Sequence, residues 1–215
     1  MEGLPEQLPR VVLTLVTMIL SLTVHEYAHA RTAWALGDDT AASHGRLTLN
    51  PMSHVDALGT LLLPALASWY GGIPFIGWAR PVPFNPVRFT RRLTMRTGTA
   101  LVAVAGPLSN VLLAVACAVG LRFLPHFHGP WVGAAGTMLF TMVHLNVGLA
   151  IFNLLPIPPL DGSRLLPRRL DGLAHAVGKF SFFFFLLILM TPAGAYLGSA
   201  VGAATALLFG AVGLS

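Results

Sequence analysis

His25-Glu26-Tyr27-Ala28-His29 is the stretch on which the reading of this 215-residue chain turns. It runs straight out of the apolar segment Val11-Val12-Leu13-Thr14-Leu15-Val16-Thr17-Met18-Ile19-Leu20-Ser21-Leu22-Thr23-Val24, with no turn residue between the two. On a helix, positions four apart share a face, so the imidazoles of His25 and His29 can reach one metal ion. Glu26 then points to the side of that ion where a water would sit. Two neutral nitrogens, an open position and a carboxylate that takes a proton are what zinc-dependent hydrolysis of an amide requires. The alternative is a pair of buried structural histidines. An ionisable side chain at membrane depth costs at least about 2.5 kcal/mol, so three in one apolar helix need a partner that stabilises them, which favours the metal.

Composition places that helix in a membrane. The chain is 55% hydrophobic and 10% charged, with mean hydropathy +0.73. A soluble domain has about 25% charged residues, so a water-surrounded globule is excluded. The formal charge of +5 comes from arginine, Lys179 being the only lysine. With no basic run and no RNA- or DNA-binding motif, it reads as membrane-surface charge, and no nucleic-acid partner is expected. The single cysteine, Cys117, excludes an intramolecular disulfide and a Cys-based zinc site. Ala28-His29-Ala30 resembles a signal-peptide cleavage site, but Glu2 and Glu6 precede Arg10 where a signal begins positively, and cleavage would split the pentad. No cleavage is expected there.

Apolar runs predict spans at about 8–36, 97–124 and 131–155, with a C-terminal two-span hairpin at about 173–190 and 192–214. Gly37-Asp38-Asp39 stops the first, and Arg31 puts that end on the cytoplasmic side. Ser43 to Pro51 alternates enough for a short strand, an ordinary loop being the equal alternative. Such a strand, at Arg46, Leu47, Thr48 and Leu49, could pair with an unwound peptide by edge addition. The extended stretch from Pro81 to Pro86 is a second candidate. Ser53-His54-Val55-Asp56 matches a capping box that accounts for Asp56. Residues 57–75 are apolar but carry Pro64, Gly71-Gly72 and Pro74, and Arg88, Arg91, Arg92 and Arg96 follow them. Within the 97–124 span, Asn110 needs a partner or serves helix packing with its small neighbours. His126 and His128 read as solvated.

Two histidines do not complete a catalytic zinc site, which takes three protein ligands and a water. Among the acids, Glu2 and Glu6 fall on the far side, Asp38 and Asp39 lie beyond the metal face, and Asp171 follows the arginines at 164–169. Asp161, at the end of Asn153-Leu154-Leu155-Pro156-Ile157-Pro158-Pro159-Leu160-Asp161-Gly162, is the best third ligand. A full crossing at 57–75 would put Asp161 opposite the histidines. A re-entrant or interfacial segment there brings all three to one face and the 88–96 arginines inside, so it is favoured.

These motifs together resemble the site-2 protease family of intramembrane zinc metalloproteases, in the compact bacterial form without a PDZ domain. The resemblance rests on H-E-x-x-H (His25, Glu26, His29), N-x-x-P-x-P-x-L-D-G from Asn153 to Gly162, and G-P-x-x-N at Gly106, Pro107 and Asn110. Gly45 to Pro51 and Gly77 to Pro83 add to it, and Ala57 departs from the proline common at that position. The resemblance implies an all-α polytopic membrane protease in one domain, with a three-span core at about 8–165 and the hairpin at about 173–214. It implies one zinc ion on His25, His29 and Asp161, Glu26 as general base, and cleavage of single-span membrane proteins already trimmed by an upstream protease. Asn153 or Asn110 would stabilise the oxyanion. The expected location is a bacterial inner membrane, with the site toward the cytoplasm. The rival class is a non-catalytic zinc scaffold or a metal transporter.

Overall fold

The computed structural model describes residues 4–69, 77–90, 92–178 and 191–214. Among these the regular structure is helical. Helix α1 (Leu4–Ala35) carries the pentad on its C-terminal half. It stops as the sequence dictates: Gly37 takes φ +100°, and Asp38 N–H reaches back to Ala33 O at 3.0 Å, closing the last turn. A side chain at Gly37 would also press on Thr90.

Asp56, rather than Ser53, caps the next helix, α2 (Ala57–Trp69). Its Oδ1 accepts from Leu58 N–H at 3.1 Å and Gly59 N–H at 2.8 Å, whereas Ser53 closes a separate 3₁₀ turn begun by Pro51. The proline starts that turn early and leaves Asp56 at the helix entrance. At 13 residues α2 is about 20 Å long, against about 30 Å of hydrocarbon. The chain then returns to where it left: Trp78 N–H donates to Gly59 O at 3.1 Å, and Thr60 Oγ1 donates to Trp78 O at 2.8 Å. Gly59 permits this, since a Cβ there would sit 2.5 Å from the Trp78 ring.

The short strands expected at Arg46–Leu49 and Pro81–Pro86 do not form; both run as irregular chain. Pro81, Pro83 and Pro86 remove the donors a ladder needs. The two stretches are instead joined by a side chain, Arg46 Nη1 donating to Arg80 O at 3.1 Å and Pro81 O at 3.4 Å.

Helices α3 (Met95–Phe123) and α4 (Val132–Asn153) complete a three-helix core with α1. Ala114, Cys117 and Ala118 of α3 pack on Met142, Val143 and Val147 of α4. Met18 and Leu22 of α1 pack on Leu145 and Leu149. After a short helix α5 (Asp171–Gly178), helix α6 (Pro192–Ala211) leans on α4 through Val201 and a Phe140–Phe209 stack at 5.8 Å. Among the described residues, four helices are long and apolar enough to cross a membrane: α1, α3, α4 and α6. The first arm of the expected hairpin falls largely on residues 179–190, outside the described residues.

The α2 return has a measurable weight. Asp56→Ala is expected to lower the melting temperature in detergent by about 2–4 °C, the effect of one lost N-cap in a chain of this size. Gly59→Ala, which expels the Trp78 ring, should lower it further; equal or smaller loss in a thermal scan would contradict this packing.

Candidate metal centre

Every proton at the centre can be placed by working inward from carbonyl groups, which only accept. Asn146 sits fully buried on α4, with one side-chain atom 2.8 Å from Met142 O, so that atom is the NH₂. The same NH₂ donates to Ser21 Oγ of α1 at 2.8 Å. Asn146 Oδ1 therefore faces Asn110 of α3, whose Nδ2 donates to it at 2.7 Å. Asn110 Oδ1 is left to face His25, and Nδ1 of His25 donates to it at 2.5 Å. On the other side His29 Nδ1 donates to Val102 O at 2.7 Å. In the neutral form that binds a metal, both imidazoles thus hold their proton on Nδ1 and turn the Nε2 lone pair inward.

Those two Nε2 atoms lie 3.0 Å apart, and Asp161 Oδ2 is 3.2 Å from His25 Nε2 and 3.1 Å from His29 Nε2. Three electron-pair donors converge with no proton between them. Ligands about 2.0–2.2 Å from one ion in a tetrahedron lie about 3.3–3.6 Å apart, a few tenths of an ångström wider than these three, so the donor set fits zinc in kind and comes close to it in spacing.

Two glycines of the sequence motifs make this convergence possible. A Cβ on Gly106 would lie 2.4 Å from His29 Nε2 and 2.6 Å from His25 Cε1, so only glycine lets α3 approach the histidine pair. A Cβ on Gly162 would lie 2.2 Å from Leu154 O, so glycine lets the Asp161 turn tuck beneath the end of α4.

Glu26 faces the same cleft, a cavity of about 270 Å³ lined also by His25, His29, Asp161, Asn153 and residues of the 77–84 segment. Its Oε2 accepts from Val82 N–H at 2.9 Å, which fixes the carboxylate's rotation. Partial burial and the Arg80 charge lower the Arg46 pKa, while the Glu26 carboxylate acts in the opposite sense.

The other expected site residues are placed differently. Asn153 lines the cleft and spends one N–H on Leu149 O at 3.0 Å. Asn110 stands behind His25, its amide taken up by His25 and Asn146. Arg46, Leu47, Thr48 and Leu49 do not line the cleft: Leu47 packs on Ala30 and Val82, and Thr48 O accepts from His54 Nε2. Asn146, Ser21 and the Val82 N–H escaped sequence reasoning. The signal for Asn146 was the one that marked Asn110, a carboxamide at membrane depth whose oxygen the carbonyls of its own helix cannot satisfy. The amide relay carries a prediction. Asn110→Leu leaves the His25 Nδ1 proton without an acceptor and should weaken zinc binding about 10–100-fold in a chelator competition titration. Asn146→Leu should weaken it by a smaller factor, and an unchanged affinity in both would contradict the relay.

Comparison with known proteins agrees with this chemistry. The family model described as Peptidase family M50 matches residues 131–191, the end that carries Asp161. A Bacillus subtilis protein named "Putative zinc metalloprotease YwhC" is 40% identical over 192 residues, covering 84% of this chain and 81% of that protein. A Mycolicibacterium smegmatis protein, named in the same form as Rip2, is 34% identical over 187 residues, covering 85% of this chain and 68% of that protein. No solved structure matches the chain significantly. With its apolar helices and its three converging zinc-type ligands, the chain belongs to peptidase family M50.

Proposed function

We propose that this protein is an intramembrane zinc metalloprotease of the site-2 type, hydrolysing peptide bonds within or near transmembrane segments of other membrane proteins. The observation that carries the proposal is the convergence of two imidazole lone pairs and a carboxylate beside Glu26, within apolar helices. His25, His29 and Asp161 would hold the ion. Zinc supplies Lewis acidity, which polarises a carbonyl and makes water acidic at neutral pH.

Glu26 is placed to take the proton of the attacking water and return it to the leaving amine. Val82 N–H holds Oε2, which keeps Oε1 for that exchange. Asn153 can turn its remaining N–H to a developing oxyanion. Asn110 acts at one remove, by holding His25. A helical substrate must unwind first, because its carbonyls are occupied by internal hydrogen bonds. Since the Arg80 and Pro81 carbonyls and the Val82 N–H are already engaged, the 77–84 segment serves chiefly as a shaped wall.

The return of Trp78 to Gly59 supports a re-entrant α2, with three crossings placing His25, His29 and Asp161 at one face. Arg31, Arg46, Arg80, Arg88, Arg92, Arg96 and Arg164 then share that face, the cytoplasmic one of a bacterial inner membrane. Its substrates are single-span proteins, trimmed beforehand by an upstream protease. A zinc transporter would carry ligands along a path; among the described residues the single cluster able to hold a metal is His25, His29 and Asp161.

Two outcomes are expected. In proteoliposomes the zinc-loaded chain cuts a reporter whose single apolar span contains an Asn-Pro pair. Glu26→Gln lowers turnover at least about 100-fold while retaining zinc. Cleavage surviving in Glu26→Gln would overturn the assignment. Cysteines placed at Met52 and Val87, both well exposed, should be labelled by an impermeant maleimide from the same side of sealed vesicles. Labelling from opposite sides would mean that α2 belongs to a full crossing.

A further inference from the structure

The cleft contains a cation that the proposed hydrolysis does not use. Arg164 lines it, and its guanidinium lies over the Phe84 ring, 4.8 Å from the centroid. Phe84 belongs to the wall that fixes Glu26 through Val82, whereas Arg164 belongs to the 3₁₀ turn Asp161–Leu165 that carries the third ligand. The arginine therefore crosses between the two walls.

Its place relative to the reacting centre follows from helix geometry. In a 3₁₀ helix, side chains three apart eclipse, so Arg164 stands on the same face as Asp161, displaced by about 6 Å along the axis. An extended peptide advances about 3.3 Å per residue, so 6 Å corresponds to about two residues from the scissile bond. The Phe84 ring holds the guanidinium by a cation–π contact that uses no hydrogen bond, so its five N–H donors remain for a ligand. Other arginines nearby are committed: Arg88 pairs with Asp39, and Arg46 holds the Arg80 and Pro81 carbonyls. Arg164 makes no such bond among the described residues.

We propose that Arg164 is a specificity-determining residue, reading an acidic side chain of the substrate about two residues from the scissile bond by a forked carboxylate contact. This rests on the protease reading and deepens it by naming the substrate chemistry, an acid at the edge of an apolar span. The planar fork suits a carboxylate better than a lysine would. A surface arginine that only meets lipid headgroups is the alternative.

The test measures binding separately from turnover. Fluorescein-labelled apolar ten-residue peptides, with Asp, Ala or Lys two residues to either side of a central Asn-Pro, are titrated by anisotropy into the zinc-loaded Glu26→Gln chain. The Asp peptide of one side should bind about tenfold tighter than its Ala and Lys counterparts, an advantage that shrinks with salt. Adding Arg164→Gln should abolish the preference, Arg164→Lys should restore part of it, and Arg164→Glu should invert it towards Lys. Equal binding of all peptides, no binding, or a preference that survives Arg164→Gln would overturn the proposal. Cleavage by the unaltered chain without an Arg164-dependent preference would leave the protease reading standing and remove this one. Arg164-dependent binding without any cleavage would remove the protease reading and leave Arg164 as a carboxylate-binding residue with no scissile bond to be measured from.

Discussion

Two imidazole nitrogens 3.0 Å apart, each with its proton committed elsewhere, repel one another, and a carboxylate oxygen 3.1–3.2 Å from both adds to the repulsion. Much of this structure serves to hold that arrangement inside apolar helices. The protons are drawn outward by carbonyls, directly at Val102 and through Asn110 and Asn146 at Met142. A relay whose every link is satisfied is a stable way to bury amides, and one broken link would strand several polar groups together. A cation at the centre turns the repulsion into attraction, so the helix core and the metal site depend on the same set of contacts.

The chemistry shapes the packing as much as the reverse. Gly106 and Pro107 both lie buried inside α3, and what faces Gly106 is the histidine pair. Ser109 Oγ donates to Gly106 O at 2.7 Å. The turn that carries Asp161 is threaded under α4 by Gly162, so the third ligand reaches its place from a loop that two helices pin down. The wall opposite is held by α2, with Thr60 and Gly59 binding Trp78 and the extended chain beyond it placing Val82 against Glu26.

Much of this was legible in the sequence, and the misses have physical reasons. Apolar run length placed α1, α3, α4 and α6 to within a few residues, because backbone satisfaction in hydrocarbon leaves little choice. The 25, 29 spacing put both imidazoles on one face, and elimination among seven acids led to Asp161, which the fold brings to them. Alternation at Arg46–Leu49 suggested a strand, but the prolines of the opposing stretch removed its partner. Asp56 was read as the fourth residue of a cap begun at Ser53, whereas Pro51 had already used that turn. Asn146 carried a readable signal, but its partner on α3 and the contact of Val82 with Glu26 lie across 36 and 56 residues, which no local pattern records.

The helices hold two Nε2 lone pairs and the Asp161 carboxylate ready for one zinc ion. X-ray absorption at the zinc edge on the purified chain tests it most directly. One zinc per chain is expected, in a shell of nitrogen and oxygen at about 2.0–2.2 Å, with scattering from two imidazoles and no sulfur. A chain that excludes zinc, or a shell with one imidazole or with sulfur, would contradict it.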